Sequence, residues 1–222
     1  MNESQWASAK TISYQLDPPF NQNRRKLRLL ATACVRRMIR ALPPDPAFLA
    51  IIEAAEQYAD DRDARPAALS ARKAVRAALK RLKDTDNPEL STQAGSILID
   101  LTNDVLEGHT AGIANSIWVM SHRNAVEPSN ALKEKNLQAD YLRDIFGNPF
   151  RPTVFDPAWQ TNNAVALART MYDARDFSAM PILADALQDA GCENATILQH
   201  CRNQSQVHVR GCWVVDSVLG NG

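Results

Sequence analysis

Apolar side chains recur at intervals of three and four residues along most of this chain, the spacing that gathers them on one face of a helix. In 23–42 the stripe is Leu27, Leu30, Ala31, Cys34, Met38 and Ala41, while Arg24, Arg25, Arg28, Arg36 and Arg40 occupy other faces. Asn21 or Asn23 is placed to cap that helix, and Pro43-Pro44 ends it. Phe48, Ile51, Ile52, Ala55 and Tyr58 form the stripe of a second helix at 46–60. The short Pro-Pro-Asp-Pro connection makes the two a hairpin. Amphipathic spans follow at 66–83, 91–106 and 132–145, with a short apolar helix at 113–122. In the last third, 162–175, 180–190, 194–202 and 210–219 repeat the pattern, and Gly191 is placed to terminate the second of these. Residues 1–20 carry Trp6, Tyr14 and Phe20 in polar sequence too sparse for a helix, so an arm pinned by its rings is expected.

No stretch shows strand alternation, and no strict internal repeat is present. The pattern predicts an all-α fold, a helical bundle or array of about eight or nine helices. An N-terminal hairpin with a variable spacer occupies 1–126 and a C-terminal helical module 127–222, unless the two form one continuous domain. Composition agrees: 45% hydrophobic and 23% charged residues with few glycines suit a helical globular protein.

The formal net charge is zero, which argues against a global field for nucleic acid or an anionic membrane. The first 90 residues nonetheless carry an excess of about five positive charges, balanced by the remainder. A solvated face, or salt bridges to the acidic part, accounts for the basic helices better than a phosphate-binding surface does. No signal-peptide core or membrane span is evident, and the four cysteines are read as reduced thiols. A cytoplasmic protein is expected.

Candidate chemistry is concentrated near the end of the chain, where Cys192, His200, Cys201, His208 and Cys212 offer enough N and S donors for a tetrahedral zinc ion. If the helix at 210–219 starts early, His208 and Cys212 share a face. His200 and Cys201 are adjacent, point about 100° apart on a helix, and so supply only one ligand between them. The spacing lacks the C-x2-C knuckle of common zinc folds. Small buried cysteines and hydrogen-bonded histidines explain the same residues, and that reading is preferred. No metal ligand is therefore assigned, Cys192, His200, His208 and Cys212 being the first place to look. No catalytic or cofactor-binding residue is assigned either, because no phosphate loop, nucleophile elbow or HExxH motif occurs. The loop 147–159, rich in Pro and Phe, reads as packed against the body of the protein, with recognition as its other use.

The segments YLRDIFGNPFRPTVFDPAW, PILADALQDAGC, HCR and HVRGCWVVDSVLG resemble the C-terminal segment of a large paralogous family of uncharacterised bacterial helical proteins. The stretches 25–37 and 54–60 are similar to that family's opening. The resemblance implies kinship and a helical module, with a spacer of variable length at 83–126, and brings no activity with it. Relatives tend to carry Cys-x-Cys-Cys where this chain has Thr32, Cys34 and Val35.

The function these observations support is a non-enzymatic cytoplasmic protein-interaction or regulatory module with a protein partner. A zinc-binding protein or metalloenzyme using the C-terminal Cys/His cluster is the first alternative. A nucleic-acid binder working through the basic N-terminal half is the second.

Overall fold

The computed structural model describes residues 2–10, 23–82, 88–103, 112–113 and 128–221. Tyr14, Phe20, Trp118 and all of the predicted helix at 113–122 except Ile113 lie outside the described residues. The protein is all-α, with no strand among those residues. Its helices are α1 (Glu3–Ser8), α2 (Arg24–Met38), α3 (Pro46–Asp60), α4 (Arg65–Leu82), α5 (Pro88–Asp100), α6 (Pro128–Phe146), α7 (Asn162–Ala174), α8 (Met180–Asp189), α9 (Ala195–Arg202) and α10 (Trp213–Leu219). None of the described helices is long and apolar enough to cross a membrane. Two compact units are present, Ala9–Ala139 and a second made of Met1–Ser8 with Asp140–Gly222, the boundary falling inside α6.

In the first unit α2 packs on α3, α3 on α4 and α4 on α5. Asn23 caps α2 by accepting from the Lys26 N–H, and Asp45 caps α3 through the Ala47 N–H ahead of Pro46. The helix predicted over 23–42 is α-helical only to Met38. A 3-10 turn, Ile39–Ala41, follows as the chain tightens before Pro43-Pro44. Leu27, Leu30, Cys34, Phe48, Ile51, Ile52 and Ala55 are buried as the stripes require. Each fully buried Leu, Ile or Phe among these contributes about 1.5–3 kcal/mol.

Arg28 departs from the expectation of an outward basic face. It is 1% exposed, stacks over the Tyr58 ring at 4.4 Å, and donates to the backbone carbonyls of Leu101 and Asn103, the latter at 2.8 Å. Carbonyls just past the end of α5 lack intrahelical donors and carry partial negative charge, which makes a buried guanidinium tolerable there. Other basic side chains form ion pairs: Arg25 with Asp60, Arg36 with Glu56, Arg81 with Asp45 and Arg37 with Glu134. Asp60, Glu56 and Asp45 belong to the basic stretch itself, so pairing with the acidic remainder of the sequence is represented here by Glu134.

In the second unit α7 packs on α8 and α10, and α9 packs on α8 and α10. Thr161 caps α7, and Asn194 caps α9 through the N–H groups of Thr196 and Ile197. Gly191, at φ 90°, ends α8 as predicted. Its N–H bonds the Gln188 carbonyl and the Cys192 N–H bonds Leu187, which closes the helix end. The core joins Met171, Tyr172, Leu183, Leu187, Ile197, Val214, Val215 and Val218 with Cys192, Cys201 and Cys212. From the loop 147–159, Phe155 and Trp159 pack on this core and meet edge to face, while Val154 is 83% exposed. Within the N-terminal arm, Glu3–Ser8 form a short helix, α1, where an irregular segment was expected, with Trp6 buried. Its Glu3 carboxylate accepts from the Asn148 side chain and pairs with Arg151.

Candidate metal centre

Four donor groups from separate stretches of the second unit meet at one buried point: Asp144, His200, His208 and Cys212, with one ligand atom of each within 4.8 Å of all the others. Asp144 comes from the last turn of α6, three residues after the buried Tyr141 and beside the buried Ile145, so the helix turns its carboxylate inward. Gly147 then ends α6 at φ 68°, and a Cβ there would sit 3.3 Å from Cγ of Trp213. The glycine therefore lets α6 approach the start of α10, where Cys212 lies. His200 projects from the last turn of α9.

His208 and Cys212 do not share a helix face, because α10 begins only at Trp213. A tight turn brings them together instead: the Cys212 N–H bonds the Val209 carbonyl at 2.9 Å, and Gly211 takes φ 95°. Cys212 stands at the N-cap position of α10.

Asp144 is the hub. One carboxylate oxygen accepts from Nδ1 of His208 at 2.7 Å and lies 3.3 Å from Nε2 of His200, and the other accepts the Val209 N–H at 2.9 Å. Nε2 of His200 is 3.2 Å from Sγ of Cys212, which is 3.8 Å from Nδ1 of His208. On its far side, Nδ1 of His200 receives the indole N–H of Trp213 at 3.3 Å and lies 3.0 Å from the side-chain amide of Gln206. Nε2 of His208 is buried without a hydrogen-bond partner, and the side chain is 6% exposed.

Burial pushes the Asp144 carboxyl upward, but the hydrogen bonds and charge of His200 and His208 outweigh it, and the net shift is downward. The carboxylate is therefore ionised. Burial and the Asp144 charge push the Cys212 thiol well above its ordinary value, and the same causes raise Cys201 to about 12. Neither sulfur is a thiolate nucleophile in this state.

Of the residues singled out from the sequence, His200, His208 and Cys212 are brought together. Cys192 is not part of the set; it is wholly buried in the hydrophobic core, as is Cys201. Asp144 escaped the reading, because an aspartate inside an amphipathic helix resembles a solvated residue. The available signal was its place on the apolar side of α6, where a charge needs a partner.

Comparison of the chain with protein-family models, with curated proteins and with solved structures found no match.

Proposed function

We propose that the second unit is a zinc-binding structural module, with Asp144, His200, His208 and Cys212 as the four ligands. The observation that carries this reading is the convergence of one carboxylate, two imidazoles and one thiol at a buried point. Imidazole nitrogen, thiolate sulfur and carboxylate oxygen are each ligands that zinc accepts. Bonds of about 2.0–2.3 Å in a tetrahedron separate donors by about 3.3–3.7 Å. Of the six donor separations, 3.2, 3.3 and 3.8 Å lie close to that range and the 2.7 Å contact has to open, while all six lie within 4.8 Å.

Surrounding groups fit the same chemistry. The Val209 N–H on the second oxygen of Asp144 orients the carboxylate, as metal ligands require of their neighbours. To bind through Nε2, His200 carries its proton on Nδ1, and Gln206 lies 3.0 Å from that atom. A half-turn of the Gln206 amide presents its oxygen there as acceptor, and the Trp213 indole N–H, which donates to Nδ1 at 3.3 Å, has to give up its bond. The raised Cys212 thiol is no obstacle, because a bound cation reverses the local electrostatics and displaces the proton.

Four protein ligands complete the tetrahedron and leave no position for a reactive water, so the module is non-enzymatic in this reading. Elemental analysis of protein purified without chelator is expected to give about one zinc per chain. Cys212→Ser or His208→Ala abolishes stoichiometric binding, while Cys192→Ala leaves it unchanged. Metal-free protein that also fails to take up added zinc would sink the proposal.

A further inference from the structure

We infer that the outer face of α4 binds the phosphate backbone of double-stranded DNA through the row Arg72, Lys73, Arg76 and Lys80. The binding belongs to the first unit and needs no metal in the second. α4 runs for 18 residues with Arg65, Arg72, Lys73, Arg76, Lys80 and Arg81 as its charged residues, and it contains no Asp or Glu. At 3.6 residues per turn, Arg72, Lys73, Arg76 and Lys80 fall within an arc of about 100° and extend about 12 Å along the axis.

Ion pairing separates the two basic helices of this unit. On α2, Arg25, Arg36 and Arg37 hold Asp60, Glu56 and Glu134, and Arg28 is buried against backbone carbonyls. Asp45 holds Arg81 at the end of α4. The row itself is different. Lys73, Arg76 and Lys80 are exposed and Arg72 is partly buried, and none of the four makes a hydrogen bond or ion pair among the described residues. The Nε–H of Arg72 is buried without an acceptor. Like charges three and four positions apart on a helix repel, so helix formation gains nothing from gathering them on one arc. A polyanion laid along the row removes that repulsion.

Other partners fit this face less well. A helix that lies on a membrane offers its apolar side to the lipid, but Ala68, Val75, Ala78 and Leu79 are buried and α4 packs on α3 and α5. Protein interfaces rely on buried aromatic and aliphatic anchors, and single strands stack on aromatic rings. The exposed side of α4 offers only Leu69, at 37% exposure, and no ring. Beside the row stand Ala67, Ser70, Ala74 and Ala77, all exposed. These small side chains keep the helix slim enough for the major groove of B-form DNA, whereas A-form RNA closes that groove to side chains. α4 has no Asn or Gln to read adenine, so phosphate contacts dominate and base sequence matters little.

The test is fluorescence anisotropy of full-length protein with labelled DNA duplexes of two unrelated sequences, from about 50 to about 200 mM salt. Single-stranded DNA, an RNA duplex and vesicles of phosphatidylserine with phosphatidylcholine are the comparison probes. Four phosphate contacts predict a slope of log K against log salt of about −3.6, and a Kd of about 10⁻⁴–10⁻⁶ M at physiological salt. Arg76→Gln combined with Lys80→Gln should make the slope shallower by about two and weaken binding about tenfold or more. Lys133→Gln combined with Arg169→Gln removes the same charge from exposed positions on α6 and α7 and should leave binding within about twofold. Support is duplex binding with the expected slope, equal for both sequences and lost selectively in the α4 variant. Absence of saturable binding at the lowest salt, or equal loss in the two variants, overturns the inference. Tighter binding to single strands, to RNA or to vesicles overturns the partner class, and a strong preference between the two duplexes overturns backbone recognition. The wild-type salt slope and the comparison probes decide the matter even if a variant fails to fold.

Discussion

At the scale of single residues, Gly147 and Arg28 carry demands that their neighbours cannot meet. Gly147 combines a left-handed backbone with contact against the Trp213 indole. Gly147→Ala should therefore cost about 1–3 kcal/mol from backbone strain, with the contact adding to it, as read from the urea midpoint. Arg28→Met keeps much of the buried volume but abandons two carbonyls. It should cost about 2–5 kcal/mol by the same measurement. These residues mark the limits of the sequence reading. Gly147 follows the amphipathic span 132–145 closely enough to mark its end, because glycine tolerates φ above zero, yet its approach to Trp213 depends on a residue far along the chain. Arg28 looked solvated because arginine is rarely buried, and only the end of α5 supplies the acceptors that make it an exception. Asp144 was missed for the same reason, its partners lying more than fifty positions away.

At the scale of elements, helices with strong local punctuation were read well. Asp45-Pro46 starts α3, and Gly191 ends α8, because each motif satisfies terminal backbone groups within a few residues. α10 starts at Trp213, three residues later than the apolar pattern predicts. The stretch 208–212 forms a turn around the Asp144 carboxylate, and nothing in its own periodicity specifies that. The Asp45 cap also gives α3 a pH signature. The Ala47 N–H, and after it Arg81, hold the Asp45 carboxyl below its ordinary value. A carboxyl depressed on folding contributes stability that is present above the unfolded value, near about 4, and is lost as pH falls through the folded one. Asn is also a good cap but does not titrate. The stability difference between wild type and Asp45→Asn should thus shrink on acidification below about pH 4, measured by denaturant unfolding across the range.

For the whole molecule, a metal held at this centre has a topological consequence. Asp144 and His208 are 64 positions apart, so a metal held between them closes a long loop within the second unit. Chain-entropy scaling puts a covalent link of that span at about 4 kcal/mol, an upper guide for a reversible one. Chelation should consequently speed amide exchange throughout 140–221 while amides of 23–82 keep their protection, as read by hydrogen exchange with mass spectrometry. Uniform protection in both forms would contradict a stapling role. The all-α class was legible because helical periodicity repeats locally along the chain. The convergence of four donors was not, because it depends on how α6, α9 and α10 meet.

The contact between the Trp213 indole and His200 has a practical consequence. An indole N–H that gives up its bond when the imidazole proton changes sides is an optical gauge built into the protein. In a variant whose other tryptophans are replaced by phenylalanine, stepwise addition of zinc should change the emission of Trp213 and level off at one equivalent. The occupancy of the centre would then be visible in a cuvette, with no label attached.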